Sequence, residues 1–465
     1  MTDQELQELQ AAMERIYALA AQFTLDPFPI HWEVVPATIM YEFGAYGLPG
    51  RYSHWTHGKA YASMKTQYDY GLSKIYELVI NTDPCYAFLM ETNQPIQNKL
   101  VVAHVIGHSD FFKRNAYFGH TNRKILDTVS VHADRIRRYE FVHGLQAVED
   151  FLDAVLSIQE HIDPLAHRRP AFPPDEKAKK EPPAVRRSPY DDLWALDRRD
   201  QPKAAAPPAP PRPAEEDDLL LFLLQNARGL EDWQRDVLAI VREEMLYFLP
   251  QMQTKIMNEG WASLWHARIL RELALPSDEY VRFAALHSSV LSPSPRRLNP
   301  YYLGYKMWEH IERQANDGRE WTPEMIDSPG TRKIFAIREL ESDVSFLRNY
   351  LDAELVEECD LYLYRLEGNE WKIVEKDWKK VRDGLVASMT NFGHPRIVVA
   401  DGDHDGNGEL KLRHCYEGQE LDLPYAQKTL EYVQRLWGRR VHLETVLDDK
   451  PVVLSYDPRR GHRRD

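Results

Sequence analysis

Two histidines, His104 and His108, stand four residues apart in the apolar segment AHVIGHSDFF at 103–112. On a helix this spacing puts both imidazoles on one face, about 40° apart around the axis and one turn apart along it. The same geometry lets HExxH helices hold zinc, and neutral imidazoles suit zinc, iron(II) and other borderline divalent ions. The other reading is a pair of buried, hydrogen-bonded core histidines, and spacing alone does not separate the two. Val105 stands where an HExxH enzyme carries the glutamate that takes a proton from water. Asp110 is a poor replacement, because six residues after His104 it is turned off the ligand face. A hydrolase would need a base from elsewhere. His54, His57, His132 and His287 are the available imidazoles, with Glu42 and Tyr41 as further options.

A second chemical feature is NEGWASLWH at 258–266. Glu259 lies between Met257 and Trp261, where an unpaired carboxylate would be costly to bury. It needs a partner, and a metal held by His104 and His108 would be one. Gluzincin peptidases draw their third ligand from such a glutamate on a later helix. Gly260 would let another backbone, or the metal helix, approach closely. His266 is on the same face but roughly 10.5 Å further along the axis. That position suits a residue behind the ligands, a substrate contact or a ligand of a second ion, and equally a core histidine beside Trp265.

The string DGDHDGNG (401–408) imitates the start of a calcium loop, with Asp401, Asp403, Asp405 and Gly406 in register. Leu412 stands where a bidentate glutamate is required, and strands rather than helices flank the loop, so a hairpin turn is the better reading. No phosphate-binding glycine loop of the GxxxxGK type occurs.

Several elements must position these residues. Apolar spacing predicts a helix over 2–22, then a long ordered loop over 26–60 rich in Gly, Pro and aromatics. YELVI (76–80) and YAFLM (86–90) read as strands around NTDPC. A helix over 97–113 carries the two histidines, and one or two more run from about 121 to 161. Helices are expected over 231–249, ended by Pro250, over 251–273, from Ser277, and over YYLGYKMWEHIERQ. The tail alternates in the order ββα, ββα, ββ. The fold class is therefore α+β: a mainly helical N-terminal domain with short strands, and a small C-terminal α+β domain with helices on an antiparallel sheet. The division expected is a core domain at 1–163 and 219–345, a disordered Pro/Ala/charged insertion at 164–218, and the C-terminal domain at 346–465.

The chain has 465 residues and a formal charge of −14, which argues against broad nucleic-acid binding. No run approaches the roughly 18 apolar residues of a membrane span, and the acidic, amphipathic start lacks the form of a signal peptide. Three scattered cysteines, Cys85, Cys359 and Cys415, point to a reducing compartment, with the cytoplasm as the default.

The segments HWEVV, YEFGAYGLPGRYSHWTHGK, YELVINTDPCYAFLMETN, AHVIGHSDFFKRN, HADRI, NEGWASLWH, LNPYYLG and RLWGRRVHLE recur in this order across nearly the whole chain outside 164–217. In them the sequence resembles the stage V sporulation protein R (SpoVR) family. The resemblance implies a bacterial cytoplasmic protein linked to spore cortex formation, or to stress response in bacteria that do not sporulate. It also implies possible neighbours: a PrkA-type serine protein kinase and a von Willebrand-type-A-related protein. Two functional classes stand side by side. One is a metal-dependent, gluzincin-like enzyme, a hydrolase in its sharpest form. Here His104, His108 and Glu259 would hold one divalent ion, zinc before iron(II), and His266, His132 or His57 would move protons. Peptides or peptidoglycan fragments are its implied substrates. The other is a non-catalytic regulator or scaffold that docks a partner such as the kinase.

Overall fold

The computed structural model describes residues 2–69, 77–165, 216–293, 298–367 and 370–464. The segment expected to be disordered lies outside the described residues except at its two ends.

The chain opens with α1 (Asp3–Gln22), capped by Thr2 and Glu5 in a reciprocal box. Then follow β1 (Ile30–Val35), α2 (Ala37–Tyr46) and α3 (Trp55–Asp69). The loop expected over 26–60 is thus partly regular. Pro36 precedes the first turn of α2, where it costs no hydrogen bond, and Met40 and Tyr41 bury the helix against its neighbours. Next come β2 (Glu77–Ile80), β3 (Cys85–Met90) and α4 (Pro95–Arg114). They are followed by α5 (Ile125–His143), α6 (Leu145–Leu156), α7 (Leu219–Asn226) and α8 (Asp232–Gln253). Pro250 sits inside the last turn of α8 and does not end it; the break falls at Thr254, whose Oγ1 donates to the Pro250 carbonyl at 2.7 Å. The chain continues with α9 (Lys255–Glu272), α10 (Ser277–Val290), α11 (Pro300–Ala315), α12 (Pro329–Leu340), α13 (Asp343–Tyr350) and α14 (Ala353–Glu358). The remainder is β4 (Leu363–Glu367), β5 (Glu370–Glu375), α15 (Trp378–Met389), β6 (Ile397–His404), β7 (Glu409–His414), α16 (Leu423–Trp437), β8 (Val441–Leu447), β9 (Lys450–Asp457) and β10 (Gly461–Arg464).

These elements fall into two compact units, 1–160 with 231–395 and 161–230 with 396–465. In the first, β1 pairs in parallel with β3, and β2 pairs antiparallel with β3 on its other edge. Helix α4 is almost wholly buried, from Leu100 through Phe112. It packs against α9, and α9 packs against α11. Glycines make these approaches close. A Cβ on Gly107 would stand 2.8 Å from the Ala262 Cα, and a Cβ on Gly260 would run into the backbone of Gly304. Gly260 therefore admits α11, while the histidine helix meets α9 through Gly107. A side chain at Gly260 or Gly304 could not rotate away from backbone, so its cost would exceed the ordinary overpacking penalty of about 1–3 kcal/mol.

Residues 346–395, which sequence alone assigns to the C-terminal domain, cluster with this first unit. Phe346, Leu347, Leu355, Val356, Val381 and Val386 join its core. Strands β4 and β5 form their own two-stranded sheet.

The second unit holds a five-stranded sheet in the order β10-β9-β8-β7-β6. The ββα, ββα, ββ order is present, with β10 added. The sheet is mixed and not wholly antiparallel, because β7 and β8 pair in parallel. Helix α16 forms the crossover that returns the chain to the same end before β8. The amphipathic α16 buries Leu430, Val433 and Leu436 and packs on β8 and β9. Helix α7 packs on β6 in this unit, not in the helical core, and Glu216 makes an antiparallel bridge with Val399. The DGDHDGNG string forms the end of β6 and the turn into β7, and two of its carboxylates serve the backbone: Asp403 Oδ1 accepts the Gly408 N–H at 2.8 Å, and Asp401 Oδ1 accepts the Asp403 N–H at 3.0 Å.

Candidate metal centre

The candidate centre lies where α4, α9 and β2 meet in the first unit. His104 and His108 project from one face of α4, with ring centroids 4.5 Å apart and planes at 89°. Both turn Nε2 toward Glu259 on α9. The Glu259 Oε2 lies 3.5 Å from His104 Nε2 and 3.3 Å from His108 Nε2. Glu77, at the start of β2, brings Oε1 to 3.8 Å from His104 Nε2. One Glu77 oxygen and one nitrogen from each histidine all lie within 4.8 Å of one another.

The far nitrogens of both rings are held from behind. His108 Nδ1 lies 2.9 Å from Asn258 Oδ1, an acceptor, so its proton sits on Nδ1 and the Nε2 lone pair faces Glu259 in the neutral ring. His104 Nδ1 lies 2.9 Å from His266 Nδ1, and His266 Nε2 lies 2.8 Å from His287 Nδ1. Tyr301, on α11, stacks on His104 with ring centroids 6.0 Å apart.

The electrostatics suit a cation. Burial alone would push the Glu259 carboxyl up, but the close approach and charge of the His104 and His108 rings hold it far below the ordinary carboxylate value. For His108, burial lowers the imidazolium pKa, and the close contact and charge of Glu259, then Asn258 and Glu77, outweigh it, so the net shift is upward. Burial, then the neighbouring histidine charges, pushes His266 well down. Burial, followed by the charges of Glu259 and Glu77, raises the Tyr301 phenol, which stays a neutral donor.

Two atoms test whether the residues suit a metal. His104 Nε2 and Glu259 Oε2 are both buried and without a hydrogen-bond partner. Leaving such groups unsatisfied costs about 1–3 kcal/mol each, more when charged. A divalent ion between them would satisfy both. Two imidazole nitrogens with carboxylate oxygens form a donor set suited to zinc or iron(II).

The structure thus brings His104, His108, Glu259 and His266 together and places the other sequence candidates elsewhere. Val105 is fully buried. Asp110 points away from the centre into a buried ion pair: its Oδ2 accepts Arg338 Nη1 at 2.6 Å and Trp261 Nε1 at 2.8 Å. His132 and His57 belong to a second polar cluster. His132 Nδ1 lies 3.1 Å from Glu244 Oε1, and Arg51 Nε donates to Glu244 Oε2 at 2.6 Å. His57 packs on Tyr46, and burial, then the Arg51 charge, lowers its pKa to about 4. His54 pairs with Asp153 at 3.2 Å. Among the described residues, no hydrogen bond or ion pair joins this cluster to His104, His108 or Glu259. The expectation that His132 or His57 moves protons at the centre has no geometric support, because His132 Nδ1 faces Glu244 and His57 packs on Tyr46.

Sequence reasoning missed Glu77, Asn258 and Tyr301, and left His287 as one of four loose imidazoles. A signal was present for two of them. Glu77 is the one carboxylate in the apolar strand ELVI, and Asn258 directly precedes Glu259.

Residues 3–394 match the family described as SpoVR like protein, and residues 395–448 match the SpoVR-like C-terminal domain. The chain belongs to the SpoVR family. The boundary between the two SpoVR matches falls within one residue of the break that follows Pro395, where the first unit ends. The chain is also similar to "Uncharacterized protein YcgB" of Escherichia coli strain K12, 29% identical over 98% of this chain and 95% of that protein's length. No solved structure matches significantly. Both histidine motifs and Glu77 lie inside the SpoVR match.

Proposed function

We propose that this SpoVR-family chain is a metal-dependent hydrolase of gluzincin-like design whose base has moved from the histidine helix to a strand. One observation supports the reading: two imidazole Nε2 atoms and one carboxylate oxygen converge in one site, and two of the three are buried without a hydrogen-bond partner. His104, His108 and Glu259 are the ligands in this account. When bound, a divalent ion such as zinc, or second iron(II), would supply Lewis acidity toward a carbonyl and toward water.

The chain's own residues divide the remaining work. Glu259 Oε2 lies 3.3 and 3.5 Å from the two imidazole nitrogens, so it is the third ligand, whereas Glu77 stands further back, 3.8 Å from His104 Nε2. Glu77 is partly exposed at the start of β2. It takes the role that Val105 cannot, accepting a proton from the attacking water. Tyr301 keeps its proton and donates a hydrogen bond into the site.

Peptides or peptidoglycan fragments are the proposed substrate class, on the strength of the family's cortex association. The sparse cysteines, none paired, support a cytoplasmic setting. No described helix is long and apolar enough to cross a membrane. The test is a hydrolysis screen with zinc- or iron(II)-loaded protein against fluorogenic peptides and soluble peptidoglycan fragments. The expected result is product formation that stops with chelator and is absent in His108→Ala. Absence of turnover on both classes, with the ion bound, would favour a second reading. In that reading the chain is a regulator that docks a partner such as a PrkA-type serine kinase or a von Willebrand-type-A-related protein. The fully buried Val105, in place of a base, is the observation on its side.

A further inference from the structure

Behind the proposed ligands runs an unbroken line of three imidazoles, His104, His266 and His287, on α4, α9 and α10. Each gap is 2.8–2.9 Å between ring nitrogens, which face each other directly. A gap that short holds one proton: two N–H groups would clash, and two lone pairs would repel. His266 is fully buried, its two nitrogens face His104 and His287, and among the described residues no carboxylate pairs with it, so a second ring proton would be a buried charge without a counter-ion and the ring is neutral. It therefore carries one proton on two nitrogens. The direction of one gap then sets the direction of the other, and the line has two registers.

In the inward register, His287 Nδ1–H donates to His266 Nε2, and His266 Nδ1–H donates to His104 Nδ1. The His104 proton is then on Nε2, facing Glu259 Oε2 at 3.5 Å and Glu77 Oε1 at 3.8 Å. Those distances are too long for a sound hydrogen bond, and His104 Nε2 has no such partner. In the outward register, His104 Nδ1–H donates to His266 Nδ1, and His266 Nε2–H donates to His287 Nδ1. The ring proton outside the gaps is then on His287 Nε2, at the half-buried end of the line, and the His104 lone pair at Nε2 is left aimed into the site.

We propose that His266 and His287 are positioning residues that lock His104 in its Nδ1-protonated tautomer and so present Nε2 to a divalent cation. The proposal rests on the metal-binding reading of the centre and extends it to two residues that touch neither the ion nor substrate. His266 sets the register directly. His287, half-buried on α10, anchors the far end and has water available as a substitute. Groups that orient a ligating histidine from behind change metal affinity by about 10–100-fold when removed.

The test measures the zinc dissociation constant of the full chain by chelator competition in wild type, His266→Phe, His266→Asn and His287→Ala. In His266→Asn the new amide oxygen sits near the place of the imidazole Nδ1 and can still accept from His104 Nδ1–H. Expected are a loss of about 10–100-fold in His266→Phe, recovery to within a few fold in His266→Asn, and a smaller loss in His287→Ala. Equal affinity in wild type and His266→Phe overturns the positioning role while leaving the metal site standing. No zinc binding by wild type removes the metal reading itself, and this proposal with it. Should His266→Phe fail to fold, nitrogen-15 NMR of histidine-labelled, zinc-loaded wild type decides the matter. A His104 signal protonated at Nδ1 is expected, and one protonated at Nε2 contradicts the proposal.

Discussion

Glu77→Gln is expected to keep its metal and lose hydrolysis by at least about 100-fold, the usual reach of a general base. The substitution keeps size and shape and removes only the ability to accept a proton. Glu259, His104 and His108 remain, so the ion stays, and the loss falls on kcat more than on KM. The comparison variant is Glu259→Gln, which alters the ligand shell and should release the ion as well. The two glutamates sit within one small site yet make different contacts. Glu259 Oε2 touches both imidazoles at 3.3 and 3.5 Å, whereas the nearest histidine nitrogen to Glu77 is 3.8 Å away. Unchanged turnover in Glu77→Gln would remove this residue from the chemistry. Loss of metal in it would make Glu77 a fourth ligand instead.

Acidification from pH 7.5 to 5.5 is expected to weaken zinc binding by at least about tenfold, while the contribution of His108 to the stability of the metal-free protein grows. The two signs come from one residue. Burial disfavours the His108 imidazolium, but Glu259, Asn258 and Glu77 together more than offset this and raise its pKa above 6.5. Zinc needs the neutral ring, so a proton competes for Nε2 with growing success below the raised pKa. One proton per site across that interval gives about a tenfold change when the pKa is 6.5, and more when it is higher. Folding has the opposite dependence. A raised pKa means that the folded state holds the proton more tightly than the unfolded one. The resulting stability is fully present below about 6.5 and is lost as pH rises through the folded value. The thermal stability of the metal-free parent minus that of His108→Gln, a difference that cancels the opposite contributions of His57, His266 and His287, and chelator competition, both run across this range, should therefore slope in opposite directions. Parallel slopes would show that His108 is not the group in contact with the ion.

How much of this was legible beforehand depends on whether the information is local. His104 and His108 declare their shared face through a four-residue spacing, which any helix converts into adjacency. Glu259 was legible by another route, as a carboxylate in an apolar stretch that needed a partner. The pairing of Glu77 with His104 was not legible, since it joins a strand to a helix through tertiary packing. His287 was visible as an imidazole but not as the end of a line, because its place depends on how α10 lies beside α9. His266, one possibility among several at roughly 10.5 Å along the helix from Glu259, reaches the centre through His104 and not through the ion's position.

The fold divides in the same way. Helix periodicity marked α1, α4 and α9. The glycine- and aromatic-rich run at 26–60 hid α2 and α3, since their helicity comes from packing more than from propensity. Pro250 suggested a helix end, yet a proline late in a helix loses only one bond before the chain turns at Thr254. The parallel pairing of β7 with β8 follows from the α16 crossover, which composition does not reveal.

The central claim is that His104, His108 and Glu259 hold one divalent ion. The most direct test is metal content by mass spectrometry on untagged protein, beside His104→Ala and Glu259→Ala. The account predicts near one zinc or iron per chain in the parent and background levels in both variants. A parent without bound ion, even after incubation with zinc and with iron(II), would contradict it and leave AHVIGHSDFF as core packing.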